Sequence, residues 1–141
     1  MKEAFKRMPL YFFHFYYMGQ FSVKDRIMSF KYAFKGIYFL LKEEHNARIH
    51  LVASLFVVIL GFYFRIKAAE WQWLIFSISF VFVVEALNTC IENLADFIHL
   101  DQHPQIGKIK DIAAAAVLIS AIGAALIGLI IFIPYLYDLP S

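Results

Sequence analysis

A chain of 141 residues that is 62% hydrophobic carries more apolar surface than a soluble domain of its size can bury, because small domains leave much of their area exposed. That excludes a soluble globular domain and points to one all-α integral membrane domain. Net charge is only +2, yet nine of the thirteen Lys and Arg lie at or before Arg48, which puts the N-terminal segment in the cytoplasm by the positive-inside rule. These basic residues are interleaved with aromatics, so anionic headgroups are the expected partner and nucleic acid is not. A single cysteine, Cys90, excludes an intrachain disulfide.

Residues 1–28 form a basic and aromatic leader, interfacial or poorly ordered, with no cleavable-signal pattern. From Ser29, an expected N-cap, Phe30, Ala33, Phe34, Ile37, Leu40 and Leu41 recur at helical spacing among lysines. This predicts an amphipathic helix over about 29–48, lying along the interface with its lysines reaching to water. Three spanning segments follow, at about 49–64, 71–99 and 108–134, so that residues 29–137 make up the membrane domain. The first is short and needs a turn from its flanks, and Arg65 and Lys67 mark the external connection after it. Trp71 and Trp73 suit an interface. The segment 99–107 reads as a loop punctuated by Pro104 and Gly107, and Pro134 reads as the end of the last span. Three spans return that loop to the side of the N-terminal helix.

The second span carries an unusual face. Glu85, Asn88, Glu92 and Asp96 fall on one side of a helix at about 100° per residue. Ionisable groups at membrane depth are costly and mark function. With Glu44 and Arg48 before the first span, and Lys108, Lys110 and Asp111 after the loop, they form a charged cluster at the membrane boundary. Oxygen donors with few histidines suit Mg²⁺, held by one or two carboxylates plus phosphates, and Glu44 and Glu92 are the candidates. Glu85, deeper in the membrane, stands where a lipid hydroxyl would arrive and is the candidate general base. Lys110 beside Asp111 is placed to neutralise phosphate charge. A positioned hydroxyl, a metal and charge neutralisation are the parts phosphoryl transfer needs. No Walker-type or Gly-x-Gly-x-x-Gly loop is present.

The pattern Glu85-x-x-Asn88-x-x-x-Glu92-x-x-x-Asp96, followed by Lys110-Asp111-x-x-x-Ala115-Ala-Val117, resembles the small prokaryotic diacylglycerol kinase and undecaprenol kinase family. Phe34-x-Gly36 and Glu44-x-x-x-Arg48 fit as well, so the match covers roughly 29–134. The resemblance implies a homotrimer of three-span subunits that phosphorylates a membrane lipid alcohol with ATP and Mg²⁺ at the cytoplasmic side of the bacterial inner membrane. It implies Glu85 as base with Asn88 organising the site, and Glu44 and Glu92 as metal ligands. It places Tyr32, Glu44, Glu92, Asp101, Gln102, His103, Lys110 and Asp111 at ATP, and Arg48, His50, Glu85 and Ala114 at the lipid. The diacylglycerol-specific branch carries an acidic residue where this chain has His50, so undecaprenol is the expected substrate and diacylglycerol the alternative.

Blander readings compete. Glu85 and Glu92 could be an interhelical hydrogen-bonded pair, but two carboxylates on an apolar helix are expensive glue. For Asn88 packing and function weigh about evenly until the motif decides. Asp96 divides evenly between a solvated helix-end residue and a functional one. His99 and His103 have zinc-compatible i, i+4 spacing, but Pro104 argues against one helix there. A proton-coupled transporter would use the same glutamates as a relay, yet it has no use for Glu44 or for Lys110 and Asp111. A structural interaction protein is the weakest alternative.

Overall fold

A computed structural model describes residues 22–98 and 103–137. Among them are four helices, α1 (Val23–Glu43), α2 (His45–Phe64), α3 (Ala68–Ile98) and α4 (Pro104–Tyr137), and no strand. The chain divides into two units, ending and beginning at Ile37 and Tyr38. The aromatic stretch before Ser22 lies outside the described residues.

Helix α1 starts at Val23, earlier than the apolar periodicity predicts, because Ser22 is the cap. Its hydroxyl accepts the Asp25 N–H at 3.3 Å, the first half of a Ser-x-x-acid box. Ser29 sits inside the helix and bonds back to the Asp25 carbonyl at 2.8 Å. No residue of α1 is buried. Phe30, Phe34 and Ile37 lie on one exposed face, as expected of a helix whose apolar side meets lipid headgroups rather than protein.

The interfacial helix does not run to Arg48. Glu44 takes an extended backbone, φ −93° and ψ 121°, and α2 begins at His45. One non-helical residue therefore separates two helices. The shift gives α2 20 residues, about 30 Å at 1.5 Å per residue, the thickness of a hydrocarbon core. Helices α2, α3 and α4 are each long and apolar enough to cross a membrane, and the protein is a multi-pass membrane protein.

Helices α3 and α4 pair as a hairpin. Leu74, Ser77, Val81, Glu85, Asn88 and Ala95 form the buried stripe of α3, and Ala113, Val117 and Ser120 lie in that of α4. Small side chains on α4 let the backbones approach closely. Pro104 opens α4 instead of belonging to a loop: proline is favoured in the first turn, where its missing N–H had no partner to lose. Lys108, Lys110 and Asp111 are accordingly on the helix. Pro134 lies inside α4 and does not end it.

The end of the bundle near the α2–α3 connection is the better packed. Ile66, Leu74, Ile131 and Phe132 form a buried cluster, with Phe64 against the rings of Phe132 at 6.2 Å and Tyr135 at 5.9 Å. Arg65 terminates α2 in the left-handed conformation, φ 53°, where glycine is usual. The Glu70 carboxylate then accepts the Lys67 N–H at 2.7 Å and the Tyr135 hydroxyl at 2.6 Å. It both caps α3 and clasps it to α4.

Candidate active site

The polar face of α3 falls in the same stripe as its buried apolar residues, so the helix period that packs the hairpin also drives carboxylates into it. Glu85 is only 1% exposed, and its Oε2 has no hydrogen-bond partner. Three residues on, the Asn88 Nδ2 donates to Glu92 Oε1 at 2.9 Å, leaving the buried Asn88 Oδ1 unpartnered. Buried polar atoms without partners are rare and costly. Here two lie within one turn of the helix.

Glu85 also lies within electrostatic reach of His50, Glu44 and Glu92. The break at Glu44 thus delivers a carboxylate to the site from the junction of α1 and α2, and His50 follows one and a half turns into α2. At the end of α3, Asp96 Oδ1 accepts from Lys110 Nζ at 2.7 Å. Lys110 is within electrostatic reach of Glu92 too. Two hydrogen-bonded pairs, Asn88–Glu92 and Asp96–Lys110, thus lie along α3, with Glu44 and His50 in the electrostatic neighbourhood of Glu85.

Other candidates are less engaged. Arg48 is exposed and its Nη2 lies 3.5 Å from His45 Nδ1. His103 is exposed, its Nδ1 accepting the Gln105 N–H at 3.2 Å at the start of α4. Asp111 and Ala114 are exposed on α4. Tyr32 is exposed on α1, in the other unit. Asp101 and Gln102, and His99 of the rejected zinc pair, lie outside the described residues. The contact that sequence reasoning missed is that of Asp96 with Lys110. The spacing of Asp96, four from Glu92, was the available signal, but its partner is set by the register of the hairpin.

A groove of about 480 Å³ runs between α2, α3 and α4, within the range of ligand sites. Its end nearer the carboxylates is lined by His50, Val81 and Ala121, and further along α4 contributes Ala124, Ala125 and Gly128. Ser54 and Ser77 also line it, but their hydroxyls bond to the carbonyls of His50 and Leu74. The groove is thus apolar in effect, with a polar mouth.

Among the described residues, no three His, Cys, Asp or Glu side chains gather to hold a metal ion. Two carboxylate donors would leave the other positions of a Mg²⁺ to water and phosphate, which is its common mode of binding. The oxygen-only donor set fits a metal that arrives with a nucleotide.

Comparison with known proteins identifies the family. The model of the family described as prokaryotic diacylglycerol kinase matches residues 31–132. The chain belongs to that family. It is 38% identical over 108 residues to an undecaprenol kinase of Bacillus subtilis (strain 168), covering 77% of this chain and 88% of the relative. A diacylglycerol kinase of Synechocystis sp. (strain ATCC 27184 / PCC 6803 / Kazusa) is 31% identical over 114 residues, 80% of this chain and 65% of the relative. One from Helicobacter pylori (strain ATCC 700392 / 26695) is 35% identical over 112 residues, 74% of this chain and 88% of the relative. The protein is a membrane-embedded lipid kinase with ATP as cosubstrate, and the transporter expectation falls away.

Proposed function

We propose that this kinase transfers the γ-phosphoryl group of ATP, with Mg²⁺, to undecaprenol at the cytoplasmic face of a bacterial inner membrane, as a homotrimer with sites between subunits. The observation that carries the reading is that Glu85, buried with an unpartnered oxygen, stands one turn along α3 from Val81, which lines the same end of the apolar groove as His50. A polyprenol presents one hydroxyl on one slender hydrocarbon chain, and a groove lined by aliphatic side chains, with alanines and a glycine contributed by α4, suits such a chain. The greater identity to an undecaprenol kinase than to the two diacylglycerol kinases, 38% against 31% and 35%, points the same way.

In this reading Arg48, His50 and Ala114 border the lipid headgroup region, and the hydroxyl comes to Glu85. The hydroxyl oxygen bonds to the γ-phosphorus while its proton passes to the Glu85 carboxylate. The bond from the γ-phosphorus to the bridging oxygen breaks, and ADP leaves with those electrons. Asn88 holds Glu92 by its amide hydrogen bond, and Glu92 with Glu44 would supply the carboxylate oxygens for the metal. When bound, Mg²⁺ neutralises the charge that builds on the phosphates. Lys110 and Asp111 meet the phosphates; Tyr32, Asp101, Gln102 and His103 are assigned to the nucleotide by the family resemblance alone.

The test is a side-by-side assay in mixed micelles, with γ-labelled ATP and Mg²⁺ and either undecaprenol or diacylglycerol as acceptor. Label should pass to undecaprenol with the higher kcat/KM. Glu85→Gln should abolish transfer to both lipids without lowering the thermal unfolding midpoint. Preference for diacylglycerol would overturn the substrate reading, and an active Glu85→Gln variant would overturn the role of the base.

A further inference from the structure

Lys110 carries a flexible four-carbon stem with three donors on a strongly hydrated head, and left alone it would sample many rotamers. It does not sit alone: Asp96 holds its ammonium at 2.7 Å across the α3–α4 hairpin. We propose that Asp96 is a positioning residue for nucleotide binding, acting through Lys110, and this rests on the reading that Lys110 meets the phosphates.

The pair makes a poor stability element. The Asp96 side chain is 64% exposed and that of Lys110 34%, and ion pairs so solvated contribute little to folding. A carboxylate that does little for the fold is accounted for by what it holds. Asp96 is one turn beyond Glu92, the proposed metal ligand, and Lys110 lies within electrostatic reach of both. One donor of the ammonium is committed to Asp96, and two remain for phosphate oxygens. Anchoring the stem beforehand removes rotamer freedom that nucleotide binding would otherwise have to restrict.

The experiment compares steady-state kinetics of the full-length wild-type protein, Asp96→Ala, Asp96→Asn, Lys110→Ala and the Asp96→Ala/Lys110→Ala double variant, in micelles with a lipid acceptor. Asp96→Ala should raise KM for ATP on the order of tenfold, below the ~10²-fold that a 1 Å misplacement can cost. KM for lipid and the unfolding midpoint should stay at wild-type values. Asp96→Asn keeps an acceptor oxygen without the charge and should recover part of the loss. The double variant should be no worse than Lys110→Ala alone, since residues that act through one another are not additive. A KM for ATP within twofold of wild type in Asp96→Ala, or additive losses in the double variant, would overturn the positioning role while the phosphate role of Lys110 stood. A Lys110→Ala variant with unchanged KM for ATP would overturn both.

Discussion

Gly61 sets how α2 meets the start of α3. It is buried, and a Cβ built there would stand 2.8 Å from Trp71 Cη2, 2.9 Å from Cζ2 and 3.2 Å from Ile66 Cδ1. Carbon atoms prefer ~3.5 Å or more, so the indole would have to retreat by roughly 0.7 Å. It has little room, because its ring packs on Phe62 at a centroid distance of 4.8 Å. Overpacking of this kind costs about 1–3 kcal/mol. Against it stands the better helix propensity of alanine, worth about 1 kcal/mol. Gly61→Ala should therefore destabilise by about 1 kcal/mol. Phenylalanine at 71 lacks the two nearest atoms, so in a Trp71→Phe background only the 3.2 Å approach to the flexible end of Ile66 remains to offset the gain in propensity. The same substitution should then stabilise by up to about 1 kcal/mol. Thermal unfolding of the four proteins in one detergent, followed by far-UV circular dichroism at one scan rate, reads the cycle. A shift of the same sign and size in both backgrounds would refute the steric account.

Two further substitutions probe other parts of the molecule. Arg65→Gly should raise the unfolding midpoint, because a non-glycine residue in the left-handed region costs roughly 1–2 kcal/mol and the loss of chain stiffness returns only part of that; a lower midpoint would mean that the Arg65 side chain contributes more than its backbone costs. His50→Glu puts an acidic group at the groove mouth and should move the ratio of kcat/KM for undecaprenol over diacylglycerol toward diacylglycerol, several-fold; an unchanged ratio in the two-lipid assay would remove His50 from substrate choice.

The stripe Glu85, Asn88, Glu92 was legible because one period governs both packing and placement: a helix that buries Leu74, Ser77 and Val81 must bury Glu85. Boundaries were less legible. Ser22 and Ser29 both precede helical sequence, and apolar periodicity beginning at Phe30 favoured the wrong one; the acid three residues after Ser22 was the better signal. Pro104 has the same residue type whether it punctuates a loop or opens a helix, and only the extent of α4 decides. Pro134 failed as a terminator because a membrane helix is tolerant of proline where neighbouring groups re-satisfy the freed carbonyl. The break at Glu44 has no glycine or proline to announce it. The Asp96–Lys110 pair spans 14 residues, and its register is a property of the packed hairpin rather than of either local sequence.

The two ends of the α3–α4 hairpin are built on opposite terms, and the contrast bears on how the site is kept. At one end Glu70 has two donors, Lys67 and Tyr135, beside the buried cluster of Ile66, Leu74, Ile131 and Phe132. At the other, Glu85 Oε2 and Asn88 Oδ1 are buried and unpartnered, each at a cost of about 1–3 kcal/mol. Folding alone would favour apolar residues at 85 and 88, since the rest of the stripe packs without them. A fold that keeps them needs its cohesion elsewhere, and the clasped end supplies it. On the reading proposed above, the unpartnered Glu85 oxygen is the acceptor that a lipid hydroxyl's proton would meet, so a group that costs the fold is one the reaction would use.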